Sequence, residues 1–341
     1  MHVSFLALTS LELWSEDVPV SVLPDSFLGG SAPCLRSFDL NGVPFPTLPT
    51  LLVTSIDLVK LSLWRIPHSG YTSPEELVTC LSSLIKLESF SLGFLSSRSY
   101  PNRATRRPVP LIHAVLPVLT FFEFRGVSEY LEDLVAQVHA PRLTEFRIIF
   151  FNQLLFNTPR FGQFLSRSEK FQGLNRVNVT FRNWGVVASL PMPTSAANEN
   201  PGLRFGIRCE ELDWQLSSIE QVCASSSPAL FSLEHLSIQQ LIWTYDKPQL
   251  QANIEDTQWL ELFQSFSVVK NLYLSNELMP SIMHALNELS GESVTEVLPA
   301  LQDIFVEGFK PGEHIQEAIK PFIAARQLFG HPVAVHDWKR E

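Results

Sequence analysis

Cysteine is scarce. Cys34, Cys80, Cys209 and Cys223 are the only four in 341 residues, and they lie far apart with no C-x-x-C pair. That usage excludes a disulfide framework or a paired-cysteine zinc site and suits reduced thiols, as in a cytoplasmic or nuclear protein. Long apolar runs are missing too. The most apolar stretch, IIFFNQLLF, has nine residues and contains Asn152 and Gln153, far short of a membrane span. The N-terminal MHVSFLALTSLELW has no basic segment and meets Glu12 early, so we read no secretory signal. Without one, the Asn178-Val-Thr180 sequon reads as strand. Positive charge is in deficit: 25 Lys and Arg against 35 Asp and Glu give a net charge of −10. Nucleic acid and anionic membrane are therefore poor expectations as partners. Catalytic signatures are absent as well, with no G-x-S-x-G, phosphate-binding glycine loop, H-E-x-x-H or clustered carboxylates. His331 and His336, five apart around PVAV, point to opposite faces of a strand and are not expected to ligate a metal. No catalytic residue, metal or cofactor is expected. A doubly wound α/β enzyme survives only on class grounds, and it would need a glycine-rich or catalytic turn at a strand end.

What the chain has is apolar material and a recurring figure. Hydrophobic residues make up 45%, with mean hydropathy +0.10, ample for a core. The figure is Φ-x-x-Φ-x-Φ, seen as LRSFDL (35–40), LTEFRI (143–148) and LQDIFV (301–306). Taking the middle apolar residue as anchor, the copies centre on Leu11, Phe38, Leu61, Phe90, Phe122, Phe146, Val177, Phe205, Leu236, Leu272 and Ile304. Spacings run from 23 to 36 residues, and only the Phe205 copy has a non-apolar residue, Gly202, at its first position. Alternation at the last two positions marks a strand with one buried face.

The connecting segments read as helices. SPEELVTCLSSL (73–84) opens on a helix N-terminus and spaces Leu77, Leu81 and Leu84 helically. SEYLEDLVAQV (128–138), DTQWLELFQSF (256–266) and MPSIMHALNEL (279–289) behave alike. Strand and helix alternating at this period imply a right-handed α/β solenoid, with parallel strands on the concave face and helices on the convex face. Two segments, 96–110 and 190–202, read as inserted loops, and the first carries Arg98, Arg103, Arg106 and Arg107.

Eleven copies in series resemble a leucine-rich repeat over essentially the whole chain. The resemblance implies an irregular horseshoe, because the Asn or Cys that bonds the turn backbone in a regular repeat is replaced by Val43, Ile66, Leu95, Val127, Phe151, Leu241 and Phe309. We read residues 1–310 as the repeats and 311–341 as a cap of the same domain. In the cap, Ile315, Ile319, Phe322 and Ile323 stripe a helix kinked at Pro321, Gly330 closes it and PVAV begins a last strand. The wording of EAIKPFIAARQLFGHPVAVHDW (317–338) resembles the F-box/leucine-rich-repeat proteins of mushroom-forming fungi. That family implies client capture by the repeats and docking to a cullin-type ubiquitin ligase through an N-terminal F-box. The first anchor here is already Leu11, so the adaptor role requires an F-box upstream of Met1, and the apolar start at 1–13 reads as a truncated solenoid.

Residues flanking each anchor point away from the helices. Trp14, Trp64 and Phe121 are then outward aromatics, and Arg125, Arg147, Arg176, Arg204 and Arg208 a central basic stripe, with Tyr273 further on. Aromatics and arginine carry most interface energy, so this face is the expected binding surface for a protein client with acidic or phosphorylated segments. Glu123 and Glu145 flank the stripe and offer it internal neutralisation. A stand-alone repeat scaffold without a ligase is the alternative role.

Overall fold

In the computed structural model the described residues are 5, 7–15, 22–24, 27–97, 113–191, 202–225, 233–241, 255–308 and 314–339. The arginine cluster at 98–107, residues 98–110 and 192–201 of the two inserted segments, and Phe309 lie outside them. The fold is mixed α/β, with parallel-dominated sheet and helices, and it forms two compact units, Met1–Gln153 with Thr158–Phe171, and Leu154–Asn157 with Gln172–Glu341.

The first unit contains β1 (Ser10–Trp14), β2 (Ser37–Asn41), α1 (Leu48–Thr54), β3 (Lys60–Ile66), α2 (Pro74–Leu81) and β4 (Ser89–Phe94). After these come β5 (Ala114–Val115), β6 (Phe121–Gly126), α3 (Ser128–Val135), β7 (Val138–His139), β8 (Glu145–Phe150), α4 (Pro159–Ser166) and α5 (Glu169–Gln172). Strands β1, β2, β3, β4, β6 and β8 pair in that order, all parallel, and their anchors fall in one register: Leu11, Phe38, Leu61, Phe90, Phe122, Phe146. The short β5 and β7 form a separate parallel pair. Val138, expected in the helix with Val135, starts β7 instead.

The first apolar residue of the repeat explains that register. Leu35, Leu58, Leu87, Leu119 and Leu143 are wholly buried, and each closes a tight turn through its N–H onto the carbonyl three residues back. The turn aims the next two N–H groups at a single carbonyl of the preceding repeat. Val59 and Lys60 donate to Arg36, Glu88 and Ser89 to Val59, Thr120 and Phe121 to Glu88, and Thr144 and Glu145 to Thr120. Above that floor the anchor phenylalanines stack, Phe90 on Phe122 at 5.1 Å and Phe122 on Phe146 at 4.7 Å, beyond what burial alone contributes.

Two helix starts show how side chains supply caps, one locally and one from a neighbour. Ser73 and Glu76 form a reciprocal capping box at α2. Helix α4 has no cap of its own, and Glu132 from α3 supplies one: its carboxylate accepts the Arg160 and Phe161 N–H groups at 2.9 and 2.7 Å. Of the positions where asparagine is missing, Val43, Ile66 and Phe151 are buried at the turns, while Leu95 is exposed.

The second unit contains β9 (Arg176–Arg182), β10 (Gly185–Leu190), β11 (Leu203–Arg208), α6 (Leu212–Ser225), β12 (His235–Leu241), α7 (Asp256–Gln264) and β13 (Asn271–Leu274). Then follow α8 (Met279–Asn287), α9 (Ser293–Glu296), β14 (Asp303–Glu307), α10 (His314–Leu328) and β15 (Ala334–Trp338). Strands β9, β12, β13, β14 and β15 are parallel, with anchors Val177, Leu236, Leu272 and Ile304 in register. The Phe205 copy is corrected. It lies on β11, the third strand of an antiparallel meander β9–β10–β11. A two-residue turn at Asn183-Trp184 reverses the chain, and Gly185 permits it, because a Cβ there would lie 2.1 Å from the Ile207 carbonyl oxygen. Gly202 marked the irregularity, but the repeat period concealed the hairpin.

The C-terminal helix and strand form as expected, with Pro321 inside α10, and Gly330 at φ +79° closing it. Sequence reading missed Arg326. This side chain is fully buried, and its guanidinium donates to the carbonyls of Val294, Val297, Leu298, Leu301 and His331 at 3.0 to 3.4 Å. Leu298 is held at φ +50°, a strained conformation for leucine, so Arg326 binds the end of α9 and the strained turn before β14 to α10. Replacement by Met should take the guanidinium donors from those carbonyls, of which that of Leu298 also accepts the Leu301 N–H, and cost roughly 3 kcal/mol, seen as a lower Tm and lost amide protection over 334–338.

For Glu132, burial pushes the carboxyl above 4.5 and the two N–H bonds oppose that. A raised carboxyl stabilises fully below its unfolded pKa and less as pH rises through the folded one. Glu132→Ala should cost about 2 kcal/mol at pH 4 and less at pH 7, measured by denaturant titration at both.

Candidate functional site

Alternation places residues 10, 12 and 14, and their counterparts in each strand, on the face turned away from the helices. In the first unit Trp14, on the outermost strand of the order, is 67% exposed. It is in register with Asn41, and Asn41 with Trp64. Trp64 is half-buried over the neighbouring strand at Gly93, where a Cβ would sit 1.8 Å from the indole Cε3. A register shift between Leu63 and Ile66, with Arg65 at φ +51°, accompanies this placement. Gly93 is thus the seat of the ring.

Phe121 and Arg147 meet. The guanidinium lies 5.4 Å from the ring centroid and bonds Glu145 on its own strand at 2.5 Å. Glu123 stands in register with Arg147. Burial raises the Glu123 carboxyl above its usual value, with Arg147 pulling it down and Glu145 pushing it up. Arg125 lies 5.4 Å from the Phe151 ring. Glu145 therefore neutralises Arg147 on its own strand.

The second unit is arranged differently. Arg176 lies 5.7 Å from the Tyr273 ring. Tyr273 stacks on Phe305 at 4.5 Å and 11°, and Phe305 on His336 at 4.9 Å and 26°. Trp338 meets Tyr273 edge-on at 5.5 Å, and His336 Nε2 is 2.8 Å from an Asp303 oxygen. Cross-strand register runs Arg204, Ser189, Asn178, Ser237, Tyr273, Phe305, His336 along one outward row. Arg208, Gly185, Arg182 and Leu241 form another. Gln215 of α6 fixes the arginine end by donating to the Arg182, Cys209 and Glu210 carbonyls.

Of the residues expected from sequence, Phe121 joins Arg147, and Arg176 joins Tyr273. Arg204 and Arg208 share β11, and Trp14 and Trp64 are separated by Asn41. The aromatic bank was only partly legible. His336 and Trp338 belong to it through β15, which sequence reading treated as a cap, although its alternate residues share the parity of Tyr273 and Phe305. His331 precedes that strand, donating its N–H to the Arg326 carbonyl.

Little here suits catalysis by thiol or metal. Cys80 and Cys223 are buried, and burial pushes their thiols up to about 11 and about 12 respectively, away from thiolate reactivity. Among the described residues no group of three or more His, Cys, Asp or Glu could hold a metal ion. Nor is any described helix long and apolar enough to cross a membrane.

No protein-family model matches the chain, and no curated protein matches it significantly. Among solved structures it is similar to the leucine-rich repeat-containing protein LegL7 from Legionella pneumophila, at 14% identity over 93% of this chain and 91% of that one, with a TM-score of 0.31.

Gly93→Ala should displace the Trp64 indole. We expect a loss of about 1–3 kcal/mol from overpacking and a changed near-UV circular dichroism signal, whereas Gly291→Ala, in open space at φ +60°, should leave that signal unchanged.

Proposed function

We propose that this chain is a non-catalytic recognition module of leucine-rich-repeat type, a solenoid that binds a protein client on the sheet face opposite its helices. The observation that carries the reading is the composition of that face. Arginine and half-exposed aromatic side chains, the types that dominate interface energy, project from successive strands on the face away from the helices, where core packing does not require them. Residues 1–310 then act as the repeat region and 311–341 as its cap. The resemblance of segment 317–338 to fungal F-box/leucine-rich-repeat proteins favours service as the client-binding part of a cytoplasmic or nuclear ubiquitin-ligase adaptor, with a stand-alone scaffold as the alternative.

Simultaneous charge reversal at Arg147, Arg176 and Arg208 tests the face. Client capture from the native host should fall at least tenfold, with Tm lowered by only about 2–4 °C where the reversal at Arg147 leaves Glu145 unpaired. Undiminished capture would place the interface elsewhere. Co-purification of a cullin-type ligase with the endogenous protein separates the adaptor from the scaffold.

A further inference from the structure

On the first unit's leading strands, two tryptophans project from the outward face and take no part in the core. Trp14 of β1 is 67% exposed, and Trp64 of β3 is half-buried with its ring seated over Gly93 of β4. Asn41 of β2 stands in register between them. Two residues earlier along the same strands, Glu12 and Asp39 face each other across a single strand step. Like charges placed directly opposite destabilise a sheet, and among the described residues neither carboxylate has an ion-pair or hydrogen-bond partner. Lys60, the outward cation of these strands, lies in register with Ser37 and pairs with neither.

The chemistry that fits this arrangement is a planar cation. Indole is the strongest cation–π partner among side chains, and a guanidinium both stacks on it and carries enough donors for two carboxylates. The Asn41 amide offers a donor and an acceptor to one peptide unit. Because Gly93 fixes the Trp64 ring, that part of the surface is ordered before any ligand arrives.

We propose that this face binds an extended peptide through an arginine, its guanidinium between Glu12 and Asp39 and flat against Trp14, with the peptide backbone on Asn41 and an apolar side chain on Trp64. The proposal rests on the protein-recognition reading above and specifies the ligand chemistry of these strands. A cation between β1 and β2 and a ring over β4 are two and a half strand steps of ~4.8 Å apart, about 12 Å. Four extended residues at ~3.3 Å each span about 13 Å, and an even separation keeps both side chains on one side. The arginine therefore belongs four positions from the apolar residue. An oligosaccharide could also use the indoles and the amide, but it does nothing for two facing carboxylates.

The test is fluorescence anisotropy of the full chain with fluorescein-labelled Gly-Ser peptides that carry one arginine and one leucine at varied separation. Binding should be saturable, strongest at a separation of four, and progressively weaker with added salt. It should be at least tenfold weaker when citrulline, which keeps the shape of arginine without its charge, takes its place. Trp14→Ala should lose tenfold or more, and so should Glu12→Gln combined with Asp39→Asn. The citrulline comparison on the unaltered chain decides the claim even if a variant fails to fold. Equal binding of the citrulline peptide, or insensitivity to separation, overturns the proposal, as does displacement of the peptide by cellohexaose. A client whose capture survives Trp14→Ala and Glu12→Gln but falls on reversal of Arg147, Arg176 and Arg208 overturns this site alone and leaves protein recognition standing. Failure of every peptide also overturns the site, and joined with absence of any client it sinks both readings.

Discussion

The alignment of the parallel repeat strands depends on one small device, the turn in which a buried aliphatic residue, leucine in most copies and Val269 in one, is followed by two N–H groups donating to a single carbonyl of the previous repeat. It recurs from Arg36 through Thr120 in the first unit, and in the second from Asn175 through Glu234 to Lys270. Parallel strands have no hairpin to set their register, and a slip of one residue would exchange inner and outer faces. The shared carbonyl removes that freedom. Once it is engaged, Phe90, Phe122 and Phe146 must stack inward, and the residues beside them must line up outward. Face chemistry is thus a consequence of turn chemistry.

Where the device is interrupted, other groups take over its hydrogen bonds. The β9–β10–β11 meander substitutes hairpin pairing, with Gly185 admitting the Ile207 carbonyl and Gln215 collecting the carbonyls at the hairpin's end. Before β14 the chain bends through a left-handed Leu298, and the Arg326 cation gathers the carbonyls that bend exposes. Glu132 does the complementary work for N–H groups at α4. Glu132 and Arg326, two buried ionic groups among the described residues, both serve backbone atoms.

Strand positions and their alignment were legible because the repeat is written in apolar spacing, which burial reads directly. Ten of the eleven anchors occupy repeat strands at the expected register, and the capping box of α2 stands in the letters Ser-Pro-Glu-Glu. The hairpin was not legible. Its strands alternate like any repeat strand, and the decisive feature is a close backbone approach at Gly185. Nor did composition announce Arg326, since a buried arginine next to Ala325 on a helix looks like any solvent-facing one. Prolines at their first turns hid the short helices α1 and α4, whereas α6 was legible from the helical spacing of Leu212, Leu216, Ile219 and Cys223. For the outward face, sequence supplied which residues project and not what they touch. Trp64 turned out to need Gly93, and Arg147 to be held by Glu145.

That last contrast separates the two units' faces in energetic terms. An arginine closed on a carboxylate of its own strand, as Arg147 is on Glu145, has most of its field cancelled locally. On β9 of the second unit Arg176 instead lies against the Tyr273 ring and Arg182 against the Trp184 ring, so those charges meet aromatic surface. Folding does not call for the arrangement, because the core beneath is complete with Val177, Val179, Phe205 and Ile207 buried to 2% exposure or less.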